Sequence, residues 1–392
     1  MFKVLTLNHI AAVGLQRLPA DSYSVGTDVA DPDAILLRSH DMHSMEVPAS
    51  VLAIGRAGAG VNNIPIDAMS KRGVPVFNAP GANANAVKEL AVAGMLIAAR
   101  NIFSARDYLK GIDADGEELD RAVEAGKKQF VGFELPGRTL GVIGLGAVGV
   151  EVANVALALG MKVVGYDPQI TVRRAWQLSS GVQQVDSLEQ LFNGADIVSV
   201  HVPLVEGTKG LIDAAKLKLM HDGGVLINFS RRGIVGRDAL FEAMDSGKLH
   251  AFVTDFPTAE LIRHPKVIAL PHLGASTAEA EENCAIMVAE NVREYLENGN
   301  VRYSVNFPEA NMRRNGTHRI TIANANVPNM VGQITTLLAA AGLNIEELLN
   351  KSRGALAYTV VDLDGAVPEE TLGSIRAIDG VLSLRNLGKS IS

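Results

Sequence analysis

Residues Gly144-Leu145-Gly146-Ala147-Val148-Gly149 place three glycines at the spacing G-x-G-x-x-G between two strand-like runs. Thr139-Leu140-Gly141-Val142-Ile143 ahead of them reads as a buried strand, and Val150 to Leu159 behind them as a helix closed by Gly160. A second strand, Met161 to Tyr166, ends on the acidic Asp167, 18 residues beyond Gly149. The glycine spacing alone is weak, but a strand, glycine turn, helix, strand and acid in series mark a dinucleotide-binding unit. In such a turn Gly144 permits the tight bend and Gly146 lets a pyrophosphate approach the backbone. Gly149 lets helix and strand pack closely, with the helix N-terminus facing the phosphates. A carboxylate at Asp167 suits a ribose 2′-hydroxyl and repels a 2′-phosphate, so the expected cofactor is NAD rather than NADP. Arg173 and Arg174, six residues further on, fall on an expected solvated helix.

A chain of 392 residues with 47% hydrophobic content is long enough for two or three domains of about 100–200 residues each. Its formal charge of −7 disfavours sequence-independent nucleic-acid binding, which needs Lys and Arg to neutralise phosphates. The single Cys284 excludes an intramolecular disulfide and fits a reducing compartment. No apolar run reaches the ~18 residues of a membrane span, and Met1-Phe2-Lys3-Val4 opens a strand. The expectation is a cytoplasmic chain without a membrane segment. No spacing of His, Cys, Asp and Glu resembles a metal site.

Short apolar strands alternate with helical segments from the start, the pattern of a parallel α/β sheet. Strands are expected at Phe2–Leu7, Ala34–Arg38, Val51–Ile54 and Val74–Phe77, then a long helix over about Ala84 to Tyr108. Beyond the glycine turn they are expected at Met161–Tyr166, Ile197–Val200, Val225–Phe229, Phe252–Thr254 and Val267–Leu270. Two doubly wound units therefore lie in series, and only the second carries a dinucleotide motif. Ala278 to Leu296 reads as a helix, and the polar stretch 309–316 as a linker. His318 to Ser392 follows the order β-α-β-β-α-β of a small, self-contained ferredoxin-like unit.

Hydride exchange with a hydroxy acid needs a cation for the carboxylate, a proton acceptor, and a partner that orients the acceptor. In a doubly wound sheet these groups emerge at the carboxyl ends of strands. Arg231, Glu260 and His272 follow three such strands. A histidine titrating near pH 6.5 suits proton exchange near neutrality, and Glu260 could pair with His272. Arg231 has the rival Arg232 beside it, and spacing alone does not choose between them. His201, at the end of another strand, is expected to pack beside the cofactor rather than react.

Four blocks of the chain resemble the D-isomer-specific 2-hydroxyacid dehydrogenases. They are Gly55-Arg56-Ala57-Gly58-Ala59-Gly60-Val61-Asn62-Asn63-Ile64, the glycine turn, Leu226-Ile227-Asn228-Phe229-Ser230-Arg231, and Pro271-His272-Leu273-Gly274-Ala275-Ser276-Thr277. The resemblance covers residues 1 to about 305 and is strongest to members that act on D-3-phosphoglycerate. It implies a substrate domain over 1–97 and 283–308 and an NAD domain over 98–282. Arg231, Glu260 and His272 become the catalytic set, although Arg232 stands where the family usually has glycine. Ala147, Val148, Phe229, Ser230, Asp255 and Gly274 become cofactor contacts. Gly58, Ala59 and Gly60 would hold the substrate carboxylate, and Arg56 its phosphate. Residues 317–392 resemble an ACT domain, an amino-acid-sensing module, with Asn326 and Asn344 at positions that bind serine. The implied reaction is NAD-dependent oxidation of D-3-phosphoglycerate to 3-phosphohydroxypyruvate, the first step toward serine, in a homodimer or homotetramer. Another D-2-hydroxy acid such as glyoxylate or hydroxypyruvate, or an NAD-sensing protein without turnover, are the alternative expectations.

Overall fold

The computed structural model describes residues 1–314 and 318–388. The chain divides into two compact units, Met1–Asn83 with Ala278–Ser392, and Ala84–Thr277.

The first unit opens with a five-stranded parallel sheet. Its order is Tyr23–Gly26, Phe2–Leu7, Ala34–Leu37, Ala53–Arg56 and Val76–Phe77. The helix Ala278–Asn298 covers one face, burying Cys284, Ala285, Val288, Ala289, Val292, Tyr295 and Leu296 at helical spacing. The second unit is a seven-stranded parallel sheet. In order it runs Val267–Ala269, Leu249–Thr254, Gly224–Asn228, Ile197–Val200, Thr139–Ile143, Lys162–Tyr166 and Gln183–Gln184. Chain order reverses between Thr139–Ile143 and Ile197–Val200, the crevice where open α/β sheets bind ligands.

The expected helix over 84–108 is two helices, Ala84–Ala99 and Ile102–Lys110. Asn101 breaks it in the left-handed conformation, φ +53°. All of Ala84–Ala99 lies in the second unit because Val87, Ala91, Met95, Ala98 and Ala99 join that unit's core. The two compact units divide at Asn83/Ala84 and Thr277/Ala278.

The C-terminal segment has the expected β-α-β-β-α-β order and forms a four-stranded antiparallel sheet. It is not self-contained. Along Leu356–Leu363, Val361 and Leu363 pack with the module's helices, while Tyr358 and Val360 join the core of the first parallel-sheet domain. Both faces of that strand are buried, so it lacks the one-sided alternation of a free-standing sheet.

Within 309–314, Ala310 and Met312 are buried while Glu309, Asn311 and Arg313 are exposed, and the remainder of the expected linker, 315–316, lies outside the described residues, as does the expected boundary at 317. Val301 and Ala310 exchange backbone hydrogen bonds of 2.8 and 3.0 Å, and Met312 is buried.

Three arginines then close the carboxyl end of helix Ala278–Asn298. Arg385 donates to the carbonyls of Tyr295 and Leu296 at 2.7 and 2.8 Å. Arg314 donates to Glu297 O at 3.3 Å and Arg319 to Asn298 O at 2.9 Å. A helix end leaves four carbonyls without intrahelical partners and a negative dipole, and guanidinium groups answer both.

Candidate active site

The glycine turn shows three different reasons for glycine. Gly144 has φ +88°, and a Cβ there would lie 2.7 Å from Val202 and 2.8 Å from His201 O. A Cβ on Gly149 would collide with Gly144 O at 1.9 Å, so the helix cannot approach its strand with any larger residue. At Gly146 nothing lies within 4 Å, which leaves open backbone at the N-terminus of helix Ala147–Ala158. No side chain caps that terminus, so its N–H groups are available to an anion. Asp167 ends the next strand and its carboxylate accepts from Leu145 N at 2.8 Å and Gln169 N at 2.9 Å. The acid is thereby fixed to the turn it serves. These features fit a bound dinucleotide.

His201 follows Ile197–Val200, and its Nε2 lies 2.8 Å from the Ser199 hydroxyl. Burial pushes its pKa down to about 4, so the ring is neutral near pH 7 and is a poor candidate for the reacting histidine.

Two neighbouring strand ends use the same local device. After Gly224–Asn228, the Asn228 side chain accepts from Ser230 N at 3.1 Å and donates to Arg231 O at 2.9 Å, which folds the turn presenting Arg231. After Leu249–Thr254, the Thr254 hydroxyl accepts from Phe256 N at 3.1 Å and so presents Phe256. The Phe256 ring is close to two of the sequence candidates. The His272 ring sits 4.6 Å from its centroid, and the Arg231 guanidinium carbon 5.7 Å from it. Arg232 donates instead to Pro257 O at 2.6 Å, so the two adjacent arginines part, one to the ring and one to the loop backbone. Sequence reasoning passed over Phe256. Its signal was an aromatic residue directly beyond a strand end.

Glu260 is not brought to His272. Both of its oxygens accept from Arg237, at 2.8 and 2.9 Å, and that fork holds its carboxyl below the usual range. Of the other expected cofactor contacts, Phe229 packs its ring against Gly94, and Ser230 donates its hydroxyl to Val200 O at 2.6 Å. Asp255 is buried and accepts from Gly274 N at 3.0 Å through Oδ2, while its buried Oδ1 has no hydrogen-bond partner among the described residues.

In the first unit, Arg56 closes strand Ala53–Arg56 and folds its guanidinium over Gly58, where a Cβ would lie 1.6 Å from Nη1. Ala59 is exposed, its carbonyl accepting from Asn78 Nδ2 at 2.6 Å, and Gly60 is half-buried. Asn326 and Asn344 are both exposed; Asn326 donates to Gly354 O at 3.0 Å. Among the described residues no group of three or more His, Cys, Asp and Glu could hold a metal ion. No helix there is long and apolar enough to cross a membrane.

A parallel sheet carrying a dinucleotide turn, with an arginine and a histidine at its strand ends, defines an NAD-dependent dehydrogenase. Residues 92–274 match the sequence profile described as D-isomer specific 2-hydroxyacid dehydrogenase, NAD binding domain. The chain belongs to this family. It is similar to the D-3-phosphoglycerate dehydrogenase of Escherichia coli strain K12, 32% identical over 383 residues, 94% of this chain and 90% of that protein. It is 40% identical over 294 residues to the enzyme of that name from Archaeoglobus fulgidus, covering 72% of this chain but about half, 53%, of that protein. The NAD+-bound 3-phosphoglycerate dehydrogenase structure from Entamoeba histolytica superimposes with a TM-score of 0.62 at 27% identity, over 78% of this chain and 98% of that one.

Proposed function

We propose that this chain oxidises D-3-phosphoglycerate to 3-phosphohydroxypyruvate with NAD, the first step toward serine. The observation that carries the reading is the placement of Arg231 and His272 around Phe256 on the sheet edge that bears the glycine turn. Held at the turn Gly144–Gly149, NAD would supply the acceptor for the hydride leaving substrate C2. His272 takes the C2 hydroxyl proton as the carbonyl forms. Arg231 holds the carboxylate and the oxygen on which charge develops. Glu260, which both Arg237 Nε and Nη2 hold at 2.8 and 2.9 Å, is the carboxylate that would stabilise the imidazolium of His272. Gly144, Gly146, Ala147, Val148 and Gly149 cradle the pyrophosphate and Asp167 the ribose. Asp255 and Gly274 line the nicotinamide end. Arg56 binds the phosphate, and amides around Gly58, Ala59 and Gly60 the carboxylate.

The homo-oligomer is proposed from the segment after Ala99. Helices Ile102–Lys110 and Gly116–Gly126 bury only Gly126, while Ile102, Leu109 and Val131 stand exposed. Serine is proposed as an effector at Asn326 and Asn344.

NAD reduction with D-3-phosphoglycerate, set against unphosphorylated D-2-hydroxy acids, tests the substrate. The expected result is a preference for the phosphorylated acid that falls when Arg56 is replaced by Gln. Equal or better turnover of an unphosphorylated acid would overturn the assignment, and NAD binding without any turnover would favour a sensor. Serine added to the same assay is expected to inhibit, and to lose its effect in Asn326→Ala.

A further inference from the structure

In the proposed reaction the substrate carboxylate is held by amides around Gly58, Ala59 and Gly60. Two of these three residues are glycine, so the loop depends on its surroundings for rigidity. We propose that Arg353, from the C-terminal module, is a positioning residue for this loop, acting through residues 303–306 and Asn78. This role deepens the dehydrogenase reading given above, on which it rests for what the loop binds.

The loop is propped by the residues that follow strand Val76–Phe77. Asn78 Nδ2 donates to Ala59 O at 2.6 Å, and Ala79 N to Gly58 O at 3.0 Å. That strand is two residues long and lies at the edge of its sheet, paired on one side with Ala53–Arg56. Residues 304–306 hold its other side. Phe77 bridges Ser304, Val305 N donates to Val76 O at 2.8 Å, and Val76 N donates to Asn306 Oδ1 at 2.9 Å. Asn78 N donates to Tyr303 O at 3.4 Å.

This segment must itself be held. Tyr303 has φ +55°, a left-handed conformation that is costly for a bulky side chain and persists where its surroundings enforce it. The next carbonyl, that of Ser304, accepts from Arg353 Nη1 at 3.1 Å. Arg353 ends strand Ile345–Arg353, just before a turn at Gly354, φ +57°. Asn326 fixes that turn, its N donating to Ala355 O at 2.9 Å and its Nδ2 to Gly354 O at 3.0 Å. A contiguous series of hydrogen bonds thus leads from the module's turn, through Ser304 and Asn78, to the loop. A loop that must present its amides in one geometry is served by such a supporting layer.

The test pairs amide exchange with kinetics in the full chain. Arg353 is exposed, so replacing it leaves the core intact. In the substrate-free protein, Arg353→Ala is expected to speed exchange of the Asn78 and Ala79 amides about three- to fivefold, the scale of one hydrogen bond. Strand Leu356–Leu363 should keep its exchange rates, which a general loosening of the module would not allow. No substrate enters this measurement, so it decides the role of Arg353 even if D-3-phosphoglycerate is not turned over. With a hydroxy acid that is turned over, KM should rise by a similar factor while kcat stays within about twofold. Arg353→Lys, which keeps a donor and the charge, should recover most of the loss. Lys351→Ala, which removes a charge from the same strand, should leave KM unchanged. Asn78→Ala should raise KM as well, and the double variant by less than the product of the two, because both act on one loop. Unchanged exchange at Asn78 and Ala79, an equal rise of KM in Lys351→Ala, or fully multiplicative effects in the double variant would overturn this role.

Discussion

At the scale of single residues, the two histidines at strand ends separate by environment. His272 is exposed on a phenyl ring, whereas His201 is held neutral by burial beside Ser199. His272→Ala is expected to lower kcat by about 10²-fold or more, the usual scale of general acid–base catalysis. Near-normal turnover in the purified variant would remove it from the mechanism. His201 bears on stability. Its folded pKa of about 4 lies below the ordinary 6.5, so the unfolded chain takes up a proton first as the pH falls. Stability is therefore full above pH 6.5, declines between about 6.5 and 4, and levels off below. Urea unfolding of the cofactor-free chain at several pH values should show this slope, reduced in His201→Gln. An unchanged slope in that variant would place the titration elsewhere.

At the scale of elements, the glycine turn, its helix and its acid were legible in the sequence because each is enforced locally, by φ, by close approach or by spacing. The break at Asn101 was not. Apolar periodicity continues through it, and only the left-handed backbone, with the Asn101 side chain accepting from His250 Nε2 at 2.9 Å, ends the first helix there. The helices beyond it bury almost nothing, yet Val131 is 78% and Leu109 50% exposed. Apolar side chains so exposed on and just beyond otherwise polar helices mark a surface that a second copy can cover. Sedimentation should show an oligomer that Leu109→Lys combined with Val131→Lys drives toward monomer. An unchanged oligomer would move the interface to another face.

At the scale of the whole molecule, the C-terminal module is joined to the first parallel-sheet domain through the arginine of an ion pair buried within the module. Arg319 donates to Asp362 through Nε at 2.5 Å and Nη2 at 2.8 Å, and both side chains are fully buried. Its remaining nitrogen, Nη1, donates to Asn298 O and Met312 O, so one guanidinium ties sheet, helix end and connecting segment together. Removing one partner leaves an uncompensated buried charge. Arg319→Ala is expected to cost about 3–5 kcal/mol, read by denaturant unfolding, whereas Arg319→Met with Asp362→Leu should cost much less. A loss below about 1 kcal/mol in the single variant would contradict the buried-charge account. Deleting the module would also uncover Tyr295 and the last carbonyls of helix Ala278–Asn298. Point substitutions at Asn326 and Asn344 are for that reason the cleaner probe of a serine response.

By itself the sequence determined what short-range physics enforces. Those features are the dinucleotide turn, the alternation that makes parallel sheets, the order of the C-terminal module, and Arg231 and His272 at strand ends. Tertiary structure alone decided which distant groups share a space. It brought Arg231 and His272 to the same Phe256 ring, gave Glu260 to Arg237, and turned Asp255 toward the loop of His272. It also merged a module that reads as independent into the core of the first unit. Spacing along a chain fixes which face or strand end a residue occupies. Which charge pairs with which is fixed by burial and direction in three dimensions, because several carboxylates and arginines of equal chemistry compete for each partner.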